Sequence, residues 1–163
     1  MSAAPADARI EAAWRALASI ADPELPPLTL GDLGVIRFVR SRPDGTLEVG
    51  LSPTYTGCPA TDYIRQRAER ALIEAEIGAF SISAVLAPAW TSDWISSEGR
   101  RKLHEYGIVP PEPAAPSLQA RQLACPRCRS LDTECLSEFG STPCKALHRC
   151  RACLEPFEVF KCI

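Results

Sequence analysis

Apolar residues return every three or four positions at Ile10, Ala13, Trp14, Leu17 and Ile20, a spacing that predicts an amphipathic helix with one face toward a core. Asp22-Pro23 closes it, because the residue before a proline avoids the α region. The period then changes. Val35–Arg40, after Gly34, reads as a strand; Pro43-Asp44-Gly45 makes a turn, and Leu47, Val49 and Leu51 alternate along a second strand, Thr46–Pro53. From Ala60 to about Ile77 the residues Ile64, Ala68, Leu72 and Ala75 share one helical face, which Gly78 ends. Phe80–Ala87 is a third predicted strand, and Ser97–Tyr106 a last helix stopped by Gly107. The order α-β-β-α-β-α predicts a compact α/β (α+β) domain, a small mixed sheet covered by helices.

The pattern breaks at Val109–Ser117, where Pro110, Pro111, Pro113 and Pro116 exclude a helix or a central strand. A semi-rigid linker at 109–118 is therefore expected, between a first domain over 1–108 and a minidomain over 119–163. The chain of 163 residues is long enough for that division.

Composition adds a boundary condition. With a net charge of -2 there is no general attraction to nucleic acid or to an anionic membrane, and no apolar run approaches a bilayer span. The first residues lack a basic segment followed by an apolar one, so a cytoplasmic, reducing location is the expectation. There, 8 cysteines at short spacings read as metal ligands or redox thiols before disulfides.

Seven of those cysteines follow the prolines. Cys125-Pro126-Arg127-Cys128 and Cys150-Arg151-Ala152-Cys153 form two Cys-x-x-Cys pairs, and two such knuckles brought together by a hairpin supply a tetrahedral cage of four thiolates, the donor set zinc accepts. The segment is too short for a large core, so a structural metal would provide much of its folding free energy. Iron in a rubredoxin-like site is the rival reading; a redox dithiol has no βαβ context here. Cys135, Cys144 and Cys162 read either as small buried hydrophobes or, for Cys144 and Cys162, as further thiolates beside Lys145, Arg149 and Arg151. From residue 119 onward Lys and Arg outnumber Asp and Glu by 7 to 5, too little for a nucleic-acid site.

Cys58 stands apart, in Pro53-Thr54-Tyr55-Thr56-Gly57-Cys58-Pro59 directly before the long helix. The helix start favours a thiolate, Gly57 leaves room to turn, and Pro59 suits a first helical turn. The residues alone allow three readings: a packing cysteine, a catalytic thiol, or a ligand for an incoming metal or cluster. The catalytic reading lacks a neighbouring base in sequence, since His104 and His148 are distant. One sulfur cannot hold a cluster, so that reading needs a second chain, a partner or the distal cysteines. There is also no Glu-x-x-His pair for a di-iron centre and no dinucleotide fingerprint, so no complete oxygenase site is present.

Asp22-Pro23-Glu24, Asp32-Leu33-Gly34, the Pro53–Pro59 motif and Pro88–Ser96 resemble the iron–sulfur assembly domain that SufT and its eukaryotic cytosolic relatives share. Ser137–Ile163 is similar to the zinc-ribbon tail of the PaaD family of bacterial phenylacetate degradation. The resemblance implies an accessory protein, not itself catalytic, that matures the iron–sulfur or metal centre of the ring-1,2-phenylacetyl-CoA epoxidase system; the alternative is a non-catalytic docking subunit of that oxygenase. It implies Cys58 as cluster ligand or transfer thiol, with Asp22, Glu24, Asp32, Thr54 and Trp90 around it. Cys125, Cys128, Cys150 and Cys153 match the zinc ligands, and Cys144 and Cys162 match further cysteines of the tail, whereas Cys135 is not a family position. A transient iron–sulfur cluster, the epoxidase's oxygenase and reductase components, the iron–sulfur assembly machinery and a homodimer are the implied cofactor and partners. The same motifs also admit plain structural readings: a helix stop for Asp22-Pro23-Glu24, and core packing for Trp90 and Trp94.

Overall fold

The structure is a computed structural model that describes residues 6–55, 57–112 and 122–163. The chain divides into two compact units, residues 1–90 and 91–163.

The first unit contains helix α1 (Ala6–Ala18), the single turn α2 (Leu30–Leu33), strands β1 (Ile36–Ser41) and β2 (Leu47–Leu51), helix α3 (Ala60–Glu74) and strand β3 (Phe80–Ala84). The sheet order is β1-β2-β3, with β1 and β2 antiparallel and β2 and β3 parallel, so the mixed sheet expected from the hydrophobic pattern is present. The first pair is a hairpin: Gly45 takes φ 81°, and the Asp44 carboxylate accepts the Thr46 N–H at 2.9 Å. Gly50 is required by packing, because a Cβ there would come within 2.4 Å of the Phe38 ring. Ala13 and Leu17 of α1, Leu47 and Val49 of β2, and Ala68 and Leu72 of α3 are wholly or almost wholly buried, the faces that the two periodicities select.

The elements depart from the expected boundaries in places, β3 stopping at Ala84 rather than at Ala87. α3 ends at Glu74 rather than near Ile77, because Glu76 adopts φ 52° and reverses the chain before Gly78 does so at φ 81°. The short turn α2 has no hydrophobic period to announce it; it is held by a capping box in which Thr29 accepts the Asp32 N–H and Asp32 accepts the Thr29 N–H.

The second unit holds a single 3-10 turn at Ser92–Trp94, helix α4 (Ser97–Glu105), and strands β4 (Ile108–Val109), β5 (Thr133–Ser137), β6 (Lys145–Cys150) and β7 (Pro156–Phe160). The sheet order is β4-β7-β6-β5, and all neighbours are antiparallel except β4 and β7. The chain thus divides after Trp90, earlier than the proline stretch where the division is expected. The physical reason is pairing: Ile108 and Val109 join the ribbon's sheet through β7, and Arg100 of α4 binds the carbonyls of Ser92 and Pro111. Of the linker expected at 109–118, residues 113–118 lie outside the described residues. Leu123, Cys125, Cys150, Phe157 and Val159 form a buried cluster, with Val109 and Cys153 packed against it. No helix among the described residues is long and apolar enough to cross a membrane.

Candidate metal centre and thiol pocket

The two Cys-x-x-Cys turns adopt the same local geometry. In each, the N–H of the first cysteine donates to the carbonyl five residues on: Cys125 to Ser130 and Cys150 to Glu155, both at 2.9 Å. In each, the residue after the second cysteine is left-handed: Arg129 and Leu154, both at φ 62°. Such a turn brings both sulfurs to its inner side. The hairpin of β5 and β6, continued by β7, carries the second knuckle against the first, and Arg151 N–H donates to Asp132 O at 2.8 Å between them.

The four sulfurs therefore converge. All lie within 4.8 Å of one another, with Cys125–Cys153 at 3.7 Å and Cys128–Cys150 at 3.5 Å. Thiolates about 2.3 Å from a central ion stand about 3.8 Å apart at the corners of a tetrahedron. The cage thus has the size for one ion and the donors of a structural site, with no position left open. Without an ion the thiols share protons. The Cys150 thiol is drawn down to about 7, first by the Cys153 N–H aimed at its sulfur, whereas Cys153, although favoured as thiolate by the Glu155 N–H, is pushed up to about 12 by desolvation and the neighbouring sulfurs. Metal binding expels those protons, which ties affinity to pH.

Cys144 and Cys162 lie at the other end of the β6–β7 pair. Cys144 is buried with its sulfur 3.1 Å from the Thr142 hydroxyl, and Cys162 contacts the Glu112 carbonyl at 4.0 Å. Neither belongs to a group of three or more metal-ligating side chains, and Cys135 is exposed on β5. Lys145 is buried and paired with Glu158 at 2.8 Å, while Arg149 and Arg151 are both engaged by Glu134. These cations serve ion pairs. His148 is buried and stacks on Phe157, and burial holds its imidazole below the ordinary range.

In the first unit, Cys58 borders a cavity of about 230 Å³. Val35, Leu51, Ile64 and Ile82 give it apolar walls, and Asp22, Ser52, Thr54 and Thr61 add polar groups. Of the residues singled out in the sequence, Asp22, Thr54 and Cys58 meet here; Glu24, Asp32 and Trp90 are not among its lining. Cys58 is buried, its N–H donating to Tyr55 O at 3.2 Å while its carbonyl accepts the Thr61 hydroxyl at 2.8 Å. The start of α3 thereby fixes where the sulfur stands. Asp22 Oδ1 accepts the N–H groups of Glu24 and Leu25, both at 2.8 Å, yet burial outweighs these bonds and raises the carboxyl above its ordinary range. Asp32 serves the capping box, and Trp90 is a core residue whose indole N–H donates to Leu33 O at 2.8 Å. Thr56 lies outside the described residues.

Sequence reasoning missed Ser52. It is 4% exposed, lines the cavity, and its hydroxyl has no hydrogen-bond partner. A serine at the end of an alternating strand, before a proline, reads as a strand terminus, and nothing in the pattern marks it as a wall of a cavity.

Comparisons with known proteins bear on both halves. A family model described as the PaaD zinc beta ribbon domain matches residues 110–161, and one described as iron-sulfur cluster assembly protein matches residues 10–79. Over 153 residues the chain is 45% identical to a protein of Escherichia coli K12 that is named as a component of 1,2-phenylacetyl-CoA epoxidase, covering 92% of this chain and 91% of that protein. It is 33% identical over 91 residues to the "Fe-S protein maturation auxiliary factor" of Porphyromonas gingivalis, covering 55% of this chain and 85% of the relative. Among solved structures, the DUF59 domain from Bacillus anthracis superposes with a TM-score of 0.55 at 21% identity, covering 60% of this chain and 92% of that one. This last likeness is one of fold.

Proposed function

The chain belongs to the PaaD family, and from that premise we propose that it is an accessory factor that matures an iron–sulfur centre of a phenylacetyl-CoA epoxidase system, with the oxygenase or reductase component as client. The observation that carries this reading is the contrast in coordination. The tail cage offers four thiolates to one ion and leaves no position free, whereas Cys58 offers one thiolate at the edge of a cavity.

A saturated tetrahedral thiolate site suits zinc held for structure. A single thiolate suits a cargo that must leave, because each additional bond to the carrier adds to the barrier for release. Cys58 holds one iron of the passing cluster, and delivery is ligand exchange: a client thiolate bonds to that iron as the Cys58 bond breaks, with no change in oxidation state. Asp22 and Thr54 shape the wall beside that sulfur. The 33% identity to a protein named as an Fe-S maturation auxiliary factor supports this assignment for the first unit.

The test is maturation of the client. Co-expression of the epoxidase components with wild-type chain should yield metal-replete reductase and oxygenase, and Cys58→Ser should leave one of them poor in its cluster or iron while the variant folds normally. Equal cluster and iron content with the variant overturns the transfer role and favours a docking role, for which stable co-purification with the oxygenase components is the corresponding sign.

A further inference from the structure

Coordination also poses a requirement that the chain itself does not meet. A [2Fe–2S] or [4Fe–4S] cluster takes four terminal ligands. Among the described residues the one group of three or more metal-ligating side chains is the tail cage, so Cys58 lies in no such group, and the lining of its cavity adds only the carboxylates of Asp22 and Asp62. What stands beside it is a cavity, and at its wall the Ser52 hydroxyl is buried without a partner. A buried hydroxyl left unbonded costs about 1–3 kcal/mol, and such a group is explained most directly by a ligand that satisfies it.

The cavity indicates the class of ligand. Small-molecule sites begin at about 300 Å³, so 230 Å³ suits a molecule below drug size. Most of the wall is apolar, fitting a thiol and its methylene, and the exposed lining residues Asp62 and Arg65 carry opposite charges. That pairing matches the ammonium and carboxylate of an amino-acid thiol. Arg65 is shared with Glu69 at 3.2 Å in an exposed pair, a contact weak enough to yield to a ligand.

We propose that this cavity seats a thiol-bearing ligand of about the size of cysteine, whose sulfur takes a coordination position at the cargo that Cys58 also holds and whose polar end hydrogen-bonds the Ser52 hydroxyl. The inference rests on the cargo reading above and adds to it the identity of one of the three terminal ligands that Cys58 leaves to be supplied. The ligand enters as a thiol, loses its proton to solvent on binding iron, and leaves as thiolate when the client displaces it, so no oxidant or reductant is consumed. The source is either a free amino-acid thiol or the cysteinyl side chain of a partner protein.

The full chain is reconstituted anaerobically with ferrous iron and sulfide, using tris(2-carboxyethyl)phosphine as a thiol-free reductant. Four arms are run: no thiol, cysteine, N-acetylcysteine N-methylamide as a mimic of a protein cysteinyl residue, and glutathione. Iron, sulfide and visible absorption per chain are read after desalting. Cysteine or its capped analogue should raise retained iron several-fold over the thiol-free arm and over glutathione, and whichever performs better identifies the source. Ser52→Ala should lower that retention several-fold with zinc content unchanged and the melting temperature of the iron-free chain no lower than that of wild type, and Ser52→Thr should restore retention. Equal retention without thiol, or indifference to Ser52→Ala, overturns the inference and leaves the cargo reading standing. Failure of wild type to retain iron in every arm overturns both.

Discussion

The tail and the first unit use the same chemical group for opposite ends. In the tail, four cysteines on two matched knuckles bring their sulfurs within 4.8 Å; in the first unit, one cysteine faces a cavity of about 230 Å³. The tail uses its thiols for closure. Its buried cluster includes two of the four cysteines, so its core and its metal cage are one object. The first unit has a core of its own, with Leu17, Leu28, Leu30, Leu33, Leu47 and Leu72 at 0% exposure. What separates the two sites is how many ligands the fold itself supplies: four thiols in the tail and one at the cavity of the first unit.

The hardest blow to this contrast is removal of a cage ligand. Cys150→Ala should abolish metal retention and the cooperative melt of residues 91–163, since structural zinc contributes on the order of 10 kcal/mol in small domains. Protease resistance of residues 6–90 should survive, and persistence of the second unit's melt in the variant would break the comparison. The reciprocal cut is Leu17→Ala in the first unit, expected to cost about 2–5 kcal/mol. Chemical denaturation should show that loss in the first unit while zinc stays bound in the second.

Cys58→Ser sharpens the contrast from the other side. Stability should change by less than about 1 kcal/mol, whereas iron retained on reconstitution should fall to background. A comparable loss of stability would make Cys58 a core residue and no more.

Asp22 gives a pH signature. Its folded carboxyl is raised above the ordinary 3.8 by burial, so the native state holds the proton more tightly than the unfolded chain. That contribution is greatest below about 3.8 and declines as pH rises through the folded value. Asp22→Asn keeps an oxygen acceptor for the Glu24 and Leu25 N–H groups without the buried charge. It should give a small rise in melting temperature at pH 7 that vanishes in acid, and a melting difference independent of pH would contradict the assignment.

The smallest effect is expected at Leu154, 67% exposed and left-handed at φ 62°. Leu154→Gly removes a steric cost of about 1–2 kcal/mol less the entropy glycine adds. A gain in melting temperature of the second unit alone would mark the knuckle as strained, and no gain would show the cost already relieved.

The first unit was legible wherever period and punctuation agree. Val49 and Leu51 mark β2, Ala68 and Leu72 mark α3, and Pro43-Asp44-Gly45 marks the hairpin turn. The cage was legible because cysteine spacing encodes knuckle geometry directly. The rest depends on relations across the chain. The four-residue turn α2 rests on the Thr29–Asp32 capping exchange, too short for a period to show. Ile108-Val109 reads as an approach to a proline linker, and only its pairing with β7 makes it part of the tail. Glu24, Asp32 and Trp90 share motifs with Asp22 and Cys58 without lining the cavity; Asp32 caps a turn, and the buried Trp90 bonds Leu33 O. Ser52 shows the converse, since an orphan hydroxyl can be seen only once the walls around it are in place.

The most direct test of the contrast is zinc and iron per chain on wild type and Cys58→Ser, reconstituted anaerobically and then exposed to a chelator. The account predicts close to one zinc retained by both proteins, with iron acquired by wild type alone and surrendered to the chelator. Zinc and iron stripped together, or iron held as firmly as zinc in both proteins, would contradict it.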